Sequence, residues 1–189
     1  MDGASSPPER PIGAWNVVVT AQEGCGRPLK RALRDVVRLE WTPFKNVALG
    51  WVPDRDAFLG ALDVLWTAEP RLAAWLGKAI PVDATLIVDE RRLLDQLDQV
   101  VAPWLPRLAG GSFYVRVVRR GHKGVIDSHA TERELGARIV ARAEAEGRPV
   151  TVSFTDPDFV VDVELVGDVA GVALLSRAER TCHPFLRVD

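Results

Sequence analysis

The chain has 189 residues with a formal net charge of −2, and it combines 47% hydrophobic with 26% charged residues. This balance is typical of a soluble globular protein that buries a core, as one ordinary domain or two small ones. The slightly acidic charge argues against a uniformly basic nucleic-acid binder. No apolar run approaches the roughly eighteen residues needed to cross a bilayer, so the sequence predicts no membrane segment. Cys25 and Cys182 lie far apart, which favours two thiols in a cytoplasmic protein over a disulfide.

The N-terminal region predicts a lead-in, a strand and a helix. Residues 1–13 are polar and rich in proline, which predicts a disordered lead-in without the pattern of a secretory signal. Residues 15–21 contain a β-branched run typical of a buried strand, and a helix is expected to begin near Arg27. The glycine-containing turn between them lacks the lysine–hydroxyl pair of a phosphate-binding loop and the three glycines of a dinucleotide fingerprint. We therefore interpret it as the entry into the helix.

A second strand and a second helix follow. Residues 45–52 predict the strand, and Asp54 is placed to cap a helix that ends before Pro70. Residues 14–70 are therefore expected to form an N-terminal domain of β-α-β-α order, which is half of a ferredoxin-like arrangement. The second domain is expected over residues 71–189.

The start of the second domain is less regular. Residues 80–82 predict a short edge strand, where proline is tolerated. Asp89 is placed to cap a helix with apolar residues on one face. Pro103 and Pro106 are expected to bend or end this helix, and Gly110-Gly111 to act as a hinge into the next strand.

Residues 112–166 carry most of the information about function. Apolar residues alternate with other residues at the beginning of this stretch, which predicts a strand with two different faces. One of these faces contains Phe113, Val115 and Val117. Thr131 and Glu134 form a capping-box pattern that predicts the start of a helix, and Gly147 is placed to end it.

Two further strands and a hairpin complete the predicted domain. Residues 149–154 predict one strand, and Asp156-Pro157-Asp158 predicts the turn after it. Residues 159–165 and 169–175 are expected to pair as a hairpin. The apolar pair at residues 185–186 is expected to dock the C-terminal tail on the body of the domain.

Charge is distributed unevenly along the chain. Residues 27–38 contain five basic residues and one acidic residue, and residues 113–150 contain eight basic and five acidic residues. Residues 151–175 contain five acidic residues and no basic residue. The first basic group consists of Arg27, Lys30, Arg31, Arg34 and Arg38. Such segregation allows a local basic face on an acidic protein, and the first group is predicted to be a secondary basic face.

The succession of strand, basic turn, helix, strand and turn resembles the THUMP domain, an RNA-binding module of tRNA-modifying proteins. The resemblance depends on the strand that runs into Arg119-Arg120-Gly121-His122-Lys123, on the helix start at Glu132-Arg133-Glu134 and on the Asp156-Pro157-Asp158 turn. It covers about residues 70–189. It implies an α/β (α+β) fold in which an N-terminal ferredoxin-like half packs on a C-terminal THUMP domain with a mixed sheet and flanking helices.

The resemblance also implies that the chain recognises the acceptor end of tRNA by its shape and backbone. The predicted RNA-binding residues are Arg116, Arg119, Arg120, His122, Lys123 and Arg133. The arginines and the lysine would contact phosphates, and the histidine would stack on a base or a ribose. The N-terminus of the following helix would add partial positive charge.

The sequence contains little that indicates catalysis. Its three histidines lack a nucleophile elbow, and its two cysteines lack the spacing of a zinc site. Asp156, Asp158 and Asp162 are acidic enough for magnesium, but an Asp-Pro-Asp turn explains them more simply. We therefore expect no catalytic residue, no metal and no cofactor.

These observations predict a non-catalytic, cytoplasmic, tRNA-binding adaptor. THUMP-containing enzymes carry their catalytic domain in the same chain, and this sequence ends before one of ordinary size could follow. The expected partners are tRNA and a separate RNA-modifying enzyme, for which a cytidine N4-acetyltransferase is the precedent; neither DNA nor a membrane is expected.

Two alternatives remain open. One is a protein-interaction or small-ligand module on a ferredoxin-like scaffold, with Trp41 and Trp75 on its partner surface. The other is an enzyme that uses the region of Asp156 to Asp162.

Overall fold

The computed structural model describes residues 14–188, so the predicted lead-in over residues 1–13 lies outside the described residues. The described chain divides into two compact units, of which the first extends to Pro81 and the second begins at Val82. The sequence placed this division after residue 70. It lies later in the structure because Leu76–Pro81 forms a strand that pairs with the first strand of the N-terminal unit.

The N-terminal unit contains one four-stranded antiparallel sheet. Its strands are β1 (Val17–Ala21), β2 (Leu39–Trp41), β3 (Val47–Gly50) and β4 (Leu76–Pro81). Its helices are α1 (Gly26–Ala32), α2 (Arg55–Ala68) and the short α3 (Leu72–Trp75). The strand order is β2-β3-β1-β4, with every neighbouring pair antiparallel. This is the β-α-β-β-α-β arrangement of a ferredoxin-like fold. The predicted half is therefore a complete ferredoxin-like unit.

The central position of β1 explains its sequence. Val17, Val18 and Val19 are all fully buried, because both faces of this strand are covered. On α2, the Asp54 carboxylate accepts a hydrogen bond from the Ala57 amide at 2.7 Å, as the capping pattern predicted.

The C-terminal unit contains a five-stranded mixed sheet of order β5-β9-β8-β6-β7. Its strands are β5 (Ala84–Ile87), β6 (Ser112–Arg120), β7 (Thr151–Val152), β8 (Phe159–Val166) and β9 (Val169–Ser176). Its helices are α4 (Leu93–Val101), α5 (Leu105–Leu108), α6 (Ser128–Ala145) and α7 (Arg177–Cys182), with a 3-10 turn at Ala102–Trp104. β6 runs parallel to β7 and β8, whereas β8, β9 and β5 pair in antiparallel fashion. The mixed sheet with flanking helices confirms the predicted fold class.

The helices α4 and α6 cover one face of this sheet. The buried residues of β6 alternate as predicted, and they pack in one core with Leu135 and Ile139 of α6 and with Leu97 of α4. The opposite face is also buried at β8, where Asp162 and Glu164 are fully enclosed. The sequence pattern did not predict this second buried face.

The predicted start of α6 was wrong. The N-cap is Asp127, whose carboxylate accepts a hydrogen bond from the Ala130 amide at 3.1 Å. Thr131 lies inside the first turn, and its hydroxyl donates to the Asp127 carbonyl at 2.8 Å. Asp127 therefore caps the helix by satisfying the Ala130 amide, whereas the capping-box pattern predicted that Thr131 would satisfy the Glu134 amide. The helix ends as predicted at Gly147, whose φ of 67° lies in the left-handed region.

Other boundaries differ by a few residues. The strand predicted over residues 149–154 is only two residues long, at the sheet edge. α4 begins at Leu93, and Asp89 bonds the Arg91 amide instead of capping the helix. α7 was not predicted, although Ser176 begins it with a complete capping box.

The C-terminal tail docks as predicted, with both residues 185 and 186 buried. Cys25 and Cys182 are free thiols. Within residues 14–188, no helix has both the length and the apolar character needed to cross a bilayer.

Candidate nucleic-acid interface

The basic segment predicted to be a turn is partly strand. β6 continues through Arg119 and Arg120, and the chain turns only at Gly121. Three residues of the turn have positive φ angles: 107° at Gly121, 49° at His122 and 81° at Gly124. The turn is therefore tight, and its two glycines occupy positions that side chains rarely adopt.

Two of the predicted RNA ligands are held by acids of the same unit. Arg120 forms an ion pair with Glu164 of β8, which is fully buried, and the Arg120 side chain is only 14% exposed. The Arg116 guanidinium lies 3.4 Å from the Glu132 carboxylate, which also accepts a hydrogen bond from the Val117 amide at 2.8 Å. Neither guanidinium is presented to solvent as the sequence predicted. The reason is that each arginine has an acid partner on another element, Glu132 of α6 for Arg116 and Glu164 of β8 for Arg120.

His122 also has an internal role. Its Nδ1 lies 2.5 Å from a Glu90 carboxylate oxygen, and its Nε2 lies 2.9 Å from the Gly167 carbonyl. Both nitrogens therefore face acceptors, an arrangement that suits the doubly protonated imidazolium. The hydrogen bond to Glu90 is the main reason that the pKa of His122 is raised above its ordinary value of 6.5; burial opposes the rise, and Gly167 and Asp168 support it. The ring joins three loops and is not placed to stack on RNA.

This geometry predicts a pH-dependent stability. A raised pKa in the folded state means that the stabilisation is fully present below the unfolded pKa and is lost as the pH rises through the folded pKa. The free energy of unfolding of the wild type should therefore exceed that of His122→Gln most at low pH, with the difference shrinking above neutrality. Urea unfolding of both proteins between about pH 5 and pH 8 measures this difference. A difference that grows with pH would contradict the assignment.

The other predicted ligands remain available. Lys123 and Arg133 are exposed, and neither forms an ion pair with any residue in the described range 14–188. Arg119 donates from Nη1 to the Gly121 carbonyl at 2.7 Å, which fixes its position without neutralising its charge. Arg119 also lines a groove of about 480 Å³, together with Asp127, His129 and other residues at the start of α6.

A second, aromatic groove lies along α6. Its volume is about 720 Å³, and it is formed between α6 and the edge of the sheet at β6 and β7. The Phe154 side chain is 81% exposed there, and its ring centroid lies 5.9 Å from that of Tyr114. Arg133, His129 and the acids Glu132 and Glu144 also line the groove. This surface was not predicted from the sequence.

The signal that could have revealed the groove is the spacing of Val152 and Phe154, which lie two residues apart in the strand predicted over residues 149–154. Large apolar residues at the outward positions of a sheet edge indicate an open surface unless another element covers them. Small residues of α6, including Ala137 and Ala141, line the facing wall and leave the groove open.

The secondary basic face lies on the N-terminal unit. α1 ends at Ala32, so the predicted helix is shorter than its basic pattern suggested. All five basic residues of the group are exposed. Arg34 lies 3.2 Å from the neighbouring Asp35, whereas the other four form no ion pair with any residue of the described range.

The acidic turn is structural. Ser112 donates to the Asp158 carboxylate from its amide at 2.8 Å and from its hydroxyl at 2.7 Å, and these bonds are the main reason that the pKa of Asp158 is lowered. Arg177 pairs with both Asp156 and Asp158. No set of three or more His, Cys, Asp or Glu residues within residues 14–188 is arranged to hold a metal ion.

The fold and the surface together define a two-unit α+β protein with one groove at the start of α6 and an aromatic groove along the same helix. The family model described as the THUMP domain matches residues 88–175, a range that begins just after β5 and ends within β9. The C-terminal unit therefore contains a THUMP domain over this range. The THUMP domain is associated with RNA binding and with enzymes of tRNA modification.

Solved structures share this fold. TrmN from Thermus thermophilus is 23% identical with a TM-score of 0.58, and the match covers 85% of this chain and 45% of that one. PH1313 from Pyrococcus horikoshii Ot3 is 10% identical with a TM-score of 0.57, and the match covers 86% of this chain and 54% of that one. A 4-thiouridine synthetase, solved in complex with RNA and ATP, is 15% identical with a TM-score of 0.50, covering 86% and 41%. This chain thus spans about half the length of these proteins or less. No curated protein matches the sequence significantly.

Proposed function

We propose that this chain binds tRNA through the surface around α6 of its C-terminal unit. The observation that carries the proposal is the aromatic groove beside Phe154, which Arg133 lines without forming an ion pair to any residue from 14 to 188. A THUMP domain with this surface combines the two elements of sequence-tolerant RNA binding, which are a stacking platform and a positively charged track. The RNA complex of the 4-thiouridine synthetase, which shares the fold, is consistent with this use.

The contacts follow from the geometry of the surface. Phe154 offers an exposed ring on which an unpaired base can stack, and Tyr114 supports this ring from within the groove. Arg133 lies on the groove wall, where it can reach the adjoining phosphate. Arg119 and Lys123 extend the positive charge past the start of α6. Arg116, Arg120 and His122 maintain the shape of this surface and do not contact the RNA.

The test of tRNA binding is a salt titration. For total tRNA and the wild-type chain, the logarithm of the association constant should fall linearly with the logarithm of the salt concentration. The slope should be about −0.7 to −0.9 per phosphate engaged. Polyglutamate of similar charge is the control, since a specific RNA site should not retain it. Equal binding of both polymers, or an affinity that does not depend on salt, would contradict the proposal.

We further propose that the chain acts as a non-catalytic adaptor for a separate RNA-modifying enzyme, with a cytidine acetyltransferase as the first candidate. Exposed apolar side chains of the C-terminal unit favour a protein partner: Ile87 on the edge strand β5 is 77% exposed, and Val125 is 61% exposed. Mass spectrometry of proteins that co-purify with the tagged chain, with and without ribonuclease, tests the adaptor role. Recovery of tRNA without an RNA-modifying enzyme would contradict it.

A further inference from the structure

Trp41 is the exposed aromatic residue of the N-terminal unit. It ends the edge strand β2, on the same strand face as Leu39, because alternate residues of a strand share a face. Leu39 is only 2% exposed, whereas Trp41 is 39% exposed. A large ring at the end of an edge strand therefore stays open to solvent, although its neighbour on the same face is covered.

The ring of Trp41 packs against Gly26. A Cβ atom added at Gly26 would lie 3.1 Å from Cζ2 and 3.2 Å from Cη2 of Trp41, closer than nearly all real contacts of this kind. The six-membered ring of the indole therefore packs directly on the backbone at the start of α1. This contact fixes the ring, so that little side-chain entropy remains to be lost when a ligand stacks on its open part.

The segment over residues 27–38, which directly follows Gly26, carries five basic residues and one acid. Arg27 follows Gly26 directly, and Lys30, Arg31 and Arg38 lie on the same exposed segment without an acid partner among residues 14–188. Nearby acids are already engaged or face away. Glu23 lies 2.5 Å from Lys45, and Glu40, the neighbour of Trp41, belongs to the opposite face of β2.

We propose that Trp41 is a stacking platform for an unpaired RNA base and that Arg27 and Lys30 contact the phosphates beside it. The inference rests on the proposed tRNA binding and adds to it a second contact site, on the N-terminal unit, for a single-stranded segment. RNA is favoured over a protein occupant because the surrounding charge complements phosphate. An aromatic face accepts any base, so the site should select single strands and not a base sequence.

The experiment compares Trp41→Leu with Trp41→Phe. Leucine keeps apolar contact with Gly26 but has no ring, whereas phenylalanine keeps a ring. Fluorescence anisotropy measures affinity for a short unstructured single-stranded RNA and for a blunt RNA duplex of the same length. For Trp41→Leu, single-strand affinity should fall about 5- to 150-fold, the range expected for the loss of one base–aromatic stack. Duplex affinity should change by less than about twofold, and Trp41→Phe should restore most of the single-strand affinity.

The outcomes separate this inference from the proposed function. If the wild type binds neither the single strand nor total tRNA, both proposals fail. If it binds total tRNA but Trp41→Leu binds the single strand like wild type, only the inference fails. An equal loss for single strand and duplex, or a change of oligomeric state in Trp41→Leu, also overturns it. If that variant does not fold, ultraviolet cross-linking of the wild type to the single strand decides, because the cross-linked peptides must include the one that contains Trp41.

Discussion

Arg120→Ala is expected to lower the free energy of unfolding by about 3–5 kcal/mol, the usual effect of removing one partner from a buried ion pair. Glu164 has no exposed side-chain surface, and Arg120 is its cationic partner on the neighbouring strand. Removal of the guanidinium leaves a carboxylate in the centre of the sheet without the charge that offsets its desolvation. Urea unfolding followed by circular dichroism gives the measurement.

The matched control is Arg119→Ala, at the adjacent position. The Arg119 guanidinium donates to the Gly121 carbonyl and forms no ion pair, so its loss should change stability by less than about 1.5 kcal/mol. Arg120→Leu combined with Glu164→Leu should recover most of the stability, because a well-packed apolar pair can replace a buried ion pair. If the free energy of unfolding of Arg120→Ala lies within about 1 kcal/mol of the wild-type value, burial of Glu164 does not depend on this arginine. The assigned role of Arg120 would then be wrong.

The same pair shows where the sequence stopped being informative. The alternation in β6 correctly placed Phe113, Val115 and Val117 on the core face. Alternation cannot show whether the opposite face is open or covered, since that depends on elements distant in sequence. Arg116 and Arg120 therefore looked like an exposed cationic surface. Their acid partners, Glu132 and Glu164, lie 16 and 44 residues further along the chain.

The helix boundaries also show where local sequence patterns fail. The capping-box pattern at Thr131 and Glu134 was the only cap predicted for α6, and the structure places the cap at Asp127. Asp127 forms the cap because the turn after Gly124 places its carboxylate over the first helix amides. By contrast, the predicted cap of α2 at Asp54 was confirmed. Local sequence patterns thus identify the N-cap of α2. They fail for α6, where the conformation of the preceding turn determines which residue caps the helix.

The groove at Phe154 and the packing of Trp41 on Gly26 could not be predicted from the sequence. Both depend on the absence of a covering strand or of a side chain next to the aromatic ring. Phe154 is exposed because β7 is an edge strand of two residues, and the sequence predicted a strand three times as long. Trp41 packs directly on the backbone because the residue beneath its ring is a glycine that precedes it by fifteen positions. The sequence does identify both residues as large apolar groups near element ends, which is where such exposure arises.

Arg119→Glu combined with Lys123→Glu is expected to reduce affinity for total tRNA by about 100-fold or more, because a charge-assisted hydrogen bond contributes about 1.5–3 kcal/mol and each reversal adds repulsion. Lys123 is exposed and Arg119 is half-buried, and neither forms an ion pair with any residue from 14 to 188. Loss of two phosphate contacts should also make the salt slope shallower by about 1.4 to 1.8. Filter binding over a series of salt concentrations measures both quantities.

The control for this variant is Arg92→Glu combined with Arg107→Glu, which changes the net charge equally. Both arginines are exposed, and neither forms an ion pair with residues 14–188. A general attraction between tRNA and positive charge would weaken equally in the two double variants, whereas a site beside α6 requires a large loss only in the first. Equal losses would leave the THUMP fold in place but remove the grounds for placing the RNA at Arg119 and Lys123. Unchanged binding in both would direct attention to the basic face of the N-terminal unit, where Arg27, Lys30 and Arg31 remain exposed.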